Sequence, residues 1–261
     1  MLVVRSATDD IASQFNQNAV SSLGSGQSTS VSNAIAQART TLDTFLLSAE
    51  NQRLAQGLLL APVNTSELVL PRTAPAQIEA AFAATLLNPA TGLYDSVRVL
   101  DRYGNVVASA ATNNITGILS GNEAGQATFE AARAGAAEGR TQTLTVAPLP
   151  GGSGALDYAV ALIWRDGRPL GYVIGRMSST RVLYPGLRFP AEFPRNIGFS
   201  YLISGAGDIL TYPDARLRAD AVGDTQLALA AFAGASGVST LPPVNDTVYY
   251  VFTAAVPGAP L

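Results

Sequence analysis

Val97-Arg-Val-Leu-Asp-Arg-Tyr-Gly-Asn-Val-Val-Ala-Ser109 reads as an apolar strand, a glycine turn and a second strand. About a hundred residues later, Tyr201-Leu-Ile-Ser-Gly-Ala-Gly-Asp-Ile-Leu-Thr-Tyr-Pro213 repeats the plan. After the first copy come an Ala-rich helix, Gln126–Ala137, and strands over Thr141–Ala147, Asp157–Trp164 and Leu170–Met177. Between those strands lie a Pro/Gly loop at Pro148–Gly154 and a turn at Arg165-Asp-Gly-Arg168. After the second copy come a helix over Asp224–Ala233 and strands over Val238–Leu241 and Thr247–Thr253. One supersecondary plan is used twice. The second use reads as truncated, because its closing strand is expected past Leu261.

Upstream of the repeat the period is helical. Val31, Ile35, Ala38, Leu42, Phe45, Leu46 and Ala49 recur at three- and four-residue steps. Ile11, Phe15 and Leu23 form an earlier stripe. Between the two stripes lies Ser21–Ser30, with Gly24 and Gly26 inside it. Each interior glycine costs a helix about 1 kcal/mol against alanine. The helix is therefore expected to break there, or two helices to meet. A second helix is expected over Ala76–Leu87, ended by Asn88-Pro89, after a loop from Pro62 to Pro75.

The composition removes whole classes of chemistry. Of 261 residues none is His or Cys, and all 16 basic residues are Arg. No Ser-His-Asp or Cys-His arrangement, Schiff base or P-loop lysine can exist. Zinc, haem and iron–sulfur sites lose their usual ligands, so no metal or cofactor is expected. A hydrolase built from Asp and Glu alone stays open in principle, but no two acids stand at convincing spacing. The hydrophobic share is 48% and the charged share 13%, about half the usual 25%. Such a chain buries a real core. The net charge is −3 and the arginines form no run, so a nucleic-acid footprint is missing.

Taken together, the long helix, the Val97–Asp101 strand with Gly104-Asn-Val-Val, the Ile163-Trp-Arg-Asp-Gly-Arg-Pro-Leu-Gly171 hairpin leading into Tyr172-Val-Ile-Gly175, and the Tyr201–Pro213 hairpin resemble the double Cache family of extracytoplasmic sensor domains. The resemblance implies an α+β chain: a long N-terminal helix followed by two PAS-like antiparallel-sheet modules, the second truncated. It divides the sequence into a helical segment 1–60, a membrane-distal module 61–185 and a membrane-proximal module 186–261. It also implies the ligand-sensing part of a transmembrane receptor of chemoreceptor, histidine kinase or cyclase type, not an enzyme. Such a domain would lie outside the cell membrane, tethered to it in the full-length protein. A homodimer through the N-terminal helices, and a small ligand of the amino-acid, amine or carboxylate class in the distal module, are further implications. Amino-acid-binding members carry an Asp soon after the last distal strand and an Arg-x-Trp-Tyr run ahead of it. Here the best match to the Asp falls near Arg176 or Met177, and no such run lies between Ala111 and Ala147. An anionic ligand is the expectation that follows.

Strand alternation nominates the pocket. Tyr158, Val160, Leu162 and Trp164 share one face of their strand, and Ala159, Ala161 and Ile163 the other. The next strand splits into Tyr172, Ile174 and Arg176 against Val173, Gly175 and Met177. The small residues Ala159, Ala161 and Gly175 would admit the N-terminal helix. Tyr158, Trp164, Tyr172 and Arg176 would then line the ligand site, joined by Arg140 after the short helix. Arg98 is a weaker candidate. The plain alternatives are half-buried sheet tyrosines, a hairpin-capping Trp164, a snorkelling Arg176 and a solvated Arg140 at a helix end. An interaction module of the same fold with no small ligand would show a distal pocket filled by its own side chains.

Overall fold

A computed structural model describes residues 2–60, 74–112, 121–149, 153–188, 200, 202–204, 209–211, 237–240 and 250–260. The helix expected over Asp224–Ala233 lies outside them. Three helices come first: α1 (Leu2–Leu47), α2 (Ala49–Leu59) and α3 (Pro75–Thr85). Strands β1 (Tyr94–Asp101) and β2 (Val106–Ala111) follow, then α4 (Ala127–Ala137), β3 (Gln142–Leu149), β4 (Ser153–Ile163) and β5 (Pro169–Met177). The later strands are β6 (Leu202–Ile203), β7 (Ile209–Thr211), β8 (Gly237–Thr240) and β9 (Tyr250–Thr253). Helix and strand are both present, and the class is α+β.

The chain divides into two compact units. One holds Ile35–Leu183 with Pro260; the other holds Met1–Ala34, Tyr184–Ala259 and Leu261. The N-terminal helix is thus shared between them.

In the unit Ile35–Leu183, β1 to β5 form an antiparallel sheet in the order β2-β1-β5-β4-β3. The β1–β2 turn is tied by Asp101, whose carboxylate accepts from the Tyr103 and Asn105 amides. Gly104 supplies the positive φ of 85° that this turn requires. Of the loop expected at Pro148–Gly154, Pro148, Leu149, Ser153 and Gly154 are paired strand, with Leu149 opposite Ser153, and residues 150–152 lie outside the described residues. Paired extended chain satisfies the backbone there better than a Pro/Gly loop would.

The helical stripe buries as its spacing predicts from Val31 to Leu46, whereas Ala49, beyond the end of α1, is exposed. Ile35, Ala38, Leu42, Phe45 and Leu46 are all buried, and each large apolar side chain contributes about 1.5–3 kcal/mol. Phe45 meets Phe82 of α3 with ring centroids 5.4 Å apart. On its other face the sheet carries α4. There Leu100, Phe129, Ala132, Ala159, Ala161, Tyr172 and Ile174 form one core cluster, with the Phe129 and Tyr172 rings edge to face at 5.4 Å.

The second unit is held along α1. Gln27 Nε2 donates to the Leu187 carbonyl, and the Ser28 and Ser32 hydroxyls donate to the Ala255 and Pro257 carbonyls. Val31 lies against Gly186. β6 pairs with β7 and β8 with β9, both antiparallel.

The break expected within Ser21–Ser30 does not occur. α1 runs through Gly24 and Gly26, and the interruption falls at Ser48. Tertiary packing overrides propensity here. A Cβ on Gly24 would stand 2.0 Å from Phe252 Cδ1, so the glycine makes room for that ring. Gly26 meets nothing within 4 Å. The two glycines should therefore respond oppositely. Gly26→Ala is expected to stabilise by about 0.5–1 kcal/mol. Gly24→Ala adds overpacking of about 1–3 kcal/mol against that gain and is expected to destabilise. Paired urea melts check both signs.

Candidate functional site

Side chains opposite one another in an antiparallel ladder share a face. Thr145 pairs with Asp157, Asp157 with Arg176, and Arg176 with Ser96. These four residues form a polar row across β3, β4, β5 and β1, on the face that carries α4. The next row holds Thr143, Ala159, Ile174 and Arg98. Beyond Thr143 and Arg98 the face passes into the apolar core of Leu100, Ala159, Ala161, Tyr172 and Ile174.

Asp157 is the centre. Its side chain is fully buried and accepts four hydrogen bonds. Oδ1 takes Arg176 Nε at 2.9 Å, and Oδ2 takes Arg176 Nη2 at 3.1 Å, Arg98 Nη2 at 3.1 Å and Thr128 Oγ1 at 3.3 Å. Thr128 comes from the first turn of α4. Glu123 completes the group, its Oε1 lying 2.6 Å from Arg98 Nε. The approach is an ion contact without hydrogen-bond alignment: Arg98 Nε has no hydrogen-bond partner among the described residues. Glu123 Oε2 and Thr145 Oγ1 are likewise buried and unpartnered.

Local structure explains how Glu123 arrives there. Its amide donates to the Gly104 carbonyl at 2.7 Å, and Asn122 Nδ2 donates to Asn105 Oδ1 at 2.8 Å. The 121–125 segment is thereby laid along the β1–β2 turn. A Cβ on Gly104 would stand 2.7 Å from the Ala124 amide nitrogen, so the close approach needs glycine.

Two arginines and two carboxylates balance. Burial alone would push the Asp157 carboxyl up; the Arg176 hydrogen bonds and the Arg98 charge outweigh burial and hold it below the usual carboxylate range. Burial alone would lower the Arg176 guanidinium, and its Asp157 partner raises it instead. The linkage sign follows. A depressed folded value means that the stability contributed by ionised Asp157 is complete above its unfolded value of about 3.9. It is lost as pH falls through the folded value. Acid titration of stability is expected to show a loss below about pH 4, and Asp157→Asn is expected to flatten that limb in urea melts taken pH by pH.

The other face of the same strands holds α1. Tyr158 Oη donates to Asp43, 2.8 Å from Oδ1 and 3.0 Å from Oδ2. Gln142 Nε2 reaches Asp43 Oδ2 at 3.1 Å, and the Arg39 guanidinium lies 5.3 Å from the Tyr158 ring centroid. Tyr94 Oη donates to the Ala38 carbonyl at 2.6 Å. Tyr94 reaches this side because the β1–β5 register shifts between Tyr94 and Ser96. Burial first, and then neighbouring charge, push the Tyr94 and Tyr158 phenols up, so both stay protonated well above neutrality.

The five residues nominated from sequence therefore scatter. Arg176 sits in the charged cluster. Tyr172 is on the same face but packs in the apolar core against Phe129. Tyr158 faces α1, and Ala159 and Ala161 face α4, the reverse of the expected pairing of faces. Register is the reason: Tyr158 stands opposite Gly175 and Ala159 opposite Ile174, so the β4 set belongs with the other β5 set. Trp164 is half-buried in the β4–β5 turn, where its amide donates to the Arg168 carbonyl at 2.8 Å. Arg140 is exposed and paired with Glu138. Asp157, Glu123 and Thr128 went unnoticed in the sequence. Asp157 had a signal, being a lone charge at the start of an apolar run.

This architecture has solved counterparts. The ligand-binding domain of the Pseudomonas aeruginosa amino-acid chemoreceptor PctC, in complex with GABA, superposes with a TM-score of 0.53 at 19% identity, over 94% of this chain and 95% of that one. The chain shares its fold with that sensor domain, as the resemblance read from the sequence implies. The same species' PctB domain in complex with L-Arg gives a TM-score of 0.53 at 18% identity, over 95% and 91% of the two chains. A domain of a putative sensory box/GGDEF family protein from Vibrio parahaemolyticus gives 0.53 at 13% identity, over 87% and 86%. No family model and no curated protein matches this chain in sequence. Among its described residues no helix is long and apolar enough to cross a membrane.

Proposed function

We propose that the chain is the extracytoplasmic ligand-sensing domain of a transmembrane receptor, and that it binds a small charged molecule on the α4 face of the unit Ile35–Leu183. The buried cluster of Arg98, Glu123, Asp157 and Arg176 carries this reading. Charged groups are costly in a core, and ligand sites combine apolar walls with a few placed polar groups. Glu123 Oε2 and Thr145 Oγ1 lack hydrogen-bond partners among the described residues, and Arg98 Nε has only its ion contact with Glu123. The guanidinium suits a carboxylate and Glu123 an ammonium. GABA and L-Arg, held by PctC and PctB, carry both groups and are the first compounds to try. Arg176 is already neutralised by Asp157, so a purely anionic ligand fits less well than the sequence suggests.

The test is a thermal-shift screen of amino acids, organic acids and amines, followed by calorimetry. A binder at a hundredfold excess over its dissociation constant adds about 2.7 kcal/mol to stability. Glu123→Gln is expected to weaken an amine-bearing binder by tenfold or more. A second reading is an interaction module without a small ligand, favoured by the closure of the cluster on itself: Asp157 is fully buried and its charges are balanced. A flat response across the panel would establish that second reading over the first. Membrane tethering and a homodimer through α1 belong to the same proposal, and sedimentation equilibrium tests the dimer.

A further inference from the structure

We infer that a four-residue block of β4 and β5 couples the charged cluster to α1, so that the state of the Asp157–Arg176 ion pair sets how firmly the helix is held. The block is Asp157 and Tyr158 on β4 with Arg176 and Gly175 on β5. Asp157 stands opposite Arg176, and Tyr158 opposite Gly175. Successive strand residues point to opposite faces. On one face, therefore, lies the ion pair, joined by two hydrogen bonds of 2.9 and 3.1 Å. On the other face Tyr158 lies beside a glycine whose missing side chain is replaced by the Tyr94 ring, 2.5 Å from where a Cβ would be. Those two tyrosines hold α1 through Asp43 and the Ala38 carbonyl, beside the Gln142 contact to Asp43 from β3.

The two faces share a backbone. The Asp157–Arg176 hydrogen bonds tie β4 to β5 at this register position, so losing them frees the local backbone to turn, and the next peptide carries Tyr158 or Gly175. A turn of the Tyr158 backbone swings a rigid ring whose hydroxyl must meet both Asp43 oxygens. Hydrogen bonds fail steeply with distance and angle, so a small rotation on one face becomes the loss of a bond on the other. Asp43 and Arg39 stand one helical turn apart and address the same tyrosine, so both lose that contact together, and Asp43 keeps only Gln142. Interior packing makes such a change a switch between arrangements instead of a gradual drift. The coupling deepens the sensing proposal by naming where a bound ligand would be read. It does not need a ligand to be tested.

The experiment is hydrogen exchange of the α1 amides from Ala38 to Leu46 in the whole chain, without added ligand. Arg176→Gln opens the ion pair and leaves Asp157 with Arg98. Exchange is expected to rise about tenfold in this stretch, the scale of one lost hydrogen bond to a charged acceptor. Ile174→Val, one row along on the same face, is the control for generic loosening. Tyr158→Phe removes the link itself, so Arg176→Gln is expected to add nothing further in the Tyr158→Phe background. If Arg176→Gln raises α1 exchange no more than Ile174→Val does, or adds in full to Tyr158→Phe, the coupling is wrong. Should Arg176→Gln fail to fold, Asp157→Asn, of the same shape, takes its place with the same expectations. A compound that raises the melting midpoint yet leaves α1 exchange unchanged would retain the sensing reading and sink the coupling alone.

Discussion

Asp157→Leu is expected to lower the unfolding free energy by about 3–5 kcal/mol, the range for removing one partner from a buried ion pair. The variant resembles leucine-for-aspartate shape well enough that packing loss is small. What remains is electrostatic. Arg98, with 4% of its side chain exposed, keeps only Glu123, and Arg176 loses both of its hydrogen bonds. Thr128 Oγ1 loses its acceptor as well. Asp157→Asn retains an acceptor oxygen and is expected to cost less than Asp157→Leu. Urea denaturation followed by far-ultraviolet dichroism gives both numbers. A loss under about 1 kcal/mol for Asp157→Leu, the level of an exposed pair, would mean that the cluster is open to water and not the buried centre described.

Gly175→Ala is the second large effect, expected at about 2–3 kcal/mol from overpacking and one strained hydrogen bond. Its new Cβ would lie 2.5 Å from Tyr94 Cε1 and 2.7 Å from Cδ1. A flexible side chain would swing aside. Tyr94 cannot do so freely: it is fully buried, and its hydroxyl is fixed to the Ala38 carbonyl at 2.6 Å. Relief must come either from the helix contact or from the sheet. A rescue experiment isolates the cause. In a Tyr94→Leu background the ring is gone, and Gly175→Ala is expected to cost less than about 1 kcal/mol, as a tolerated small change does. An equal cost in both backgrounds would place the strain elsewhere in β5.

Periodicity made much of the fold legible. The 3.6-residue stripe from Val31 to Leu46 marked the buried face of α1, and the strand–glycine–strand pattern at Val97–Ser109 marked β1 and β2. Gly24 was misleading because its meaning lies in Phe252, more than two hundred residues away in the chain. The site was less legible for a similar reason. Alternation sorts one strand into two faces, but only register tells which face of β4 joins which face of β5. A one-residue slip inverts the answer, and that slip moved Tyr158 to the helix side. Asp157 and Arg176 become partners only through that register, and Glu123 reaches them through a turn closed by Gly104. No local pattern announces a pairing across strands.

The chain has a single tryptophan, Trp164, and the fold seats it in the turn that joins β4 to β5, with the Arg165 guanidinium 5.8 Å from its ring centroid. The strands carrying Asp157 and Arg176 therefore end beside the molecule's one indole. Excited selectively over the tyrosines, its fluorescence comes from one known location. Half-buried and next to a cation, it will change colour or intensity when this hairpin shifts. The chain thus comes with its own optical gauge at the tip of the strand pair that matters, and each titration can be read on unlabelled protein.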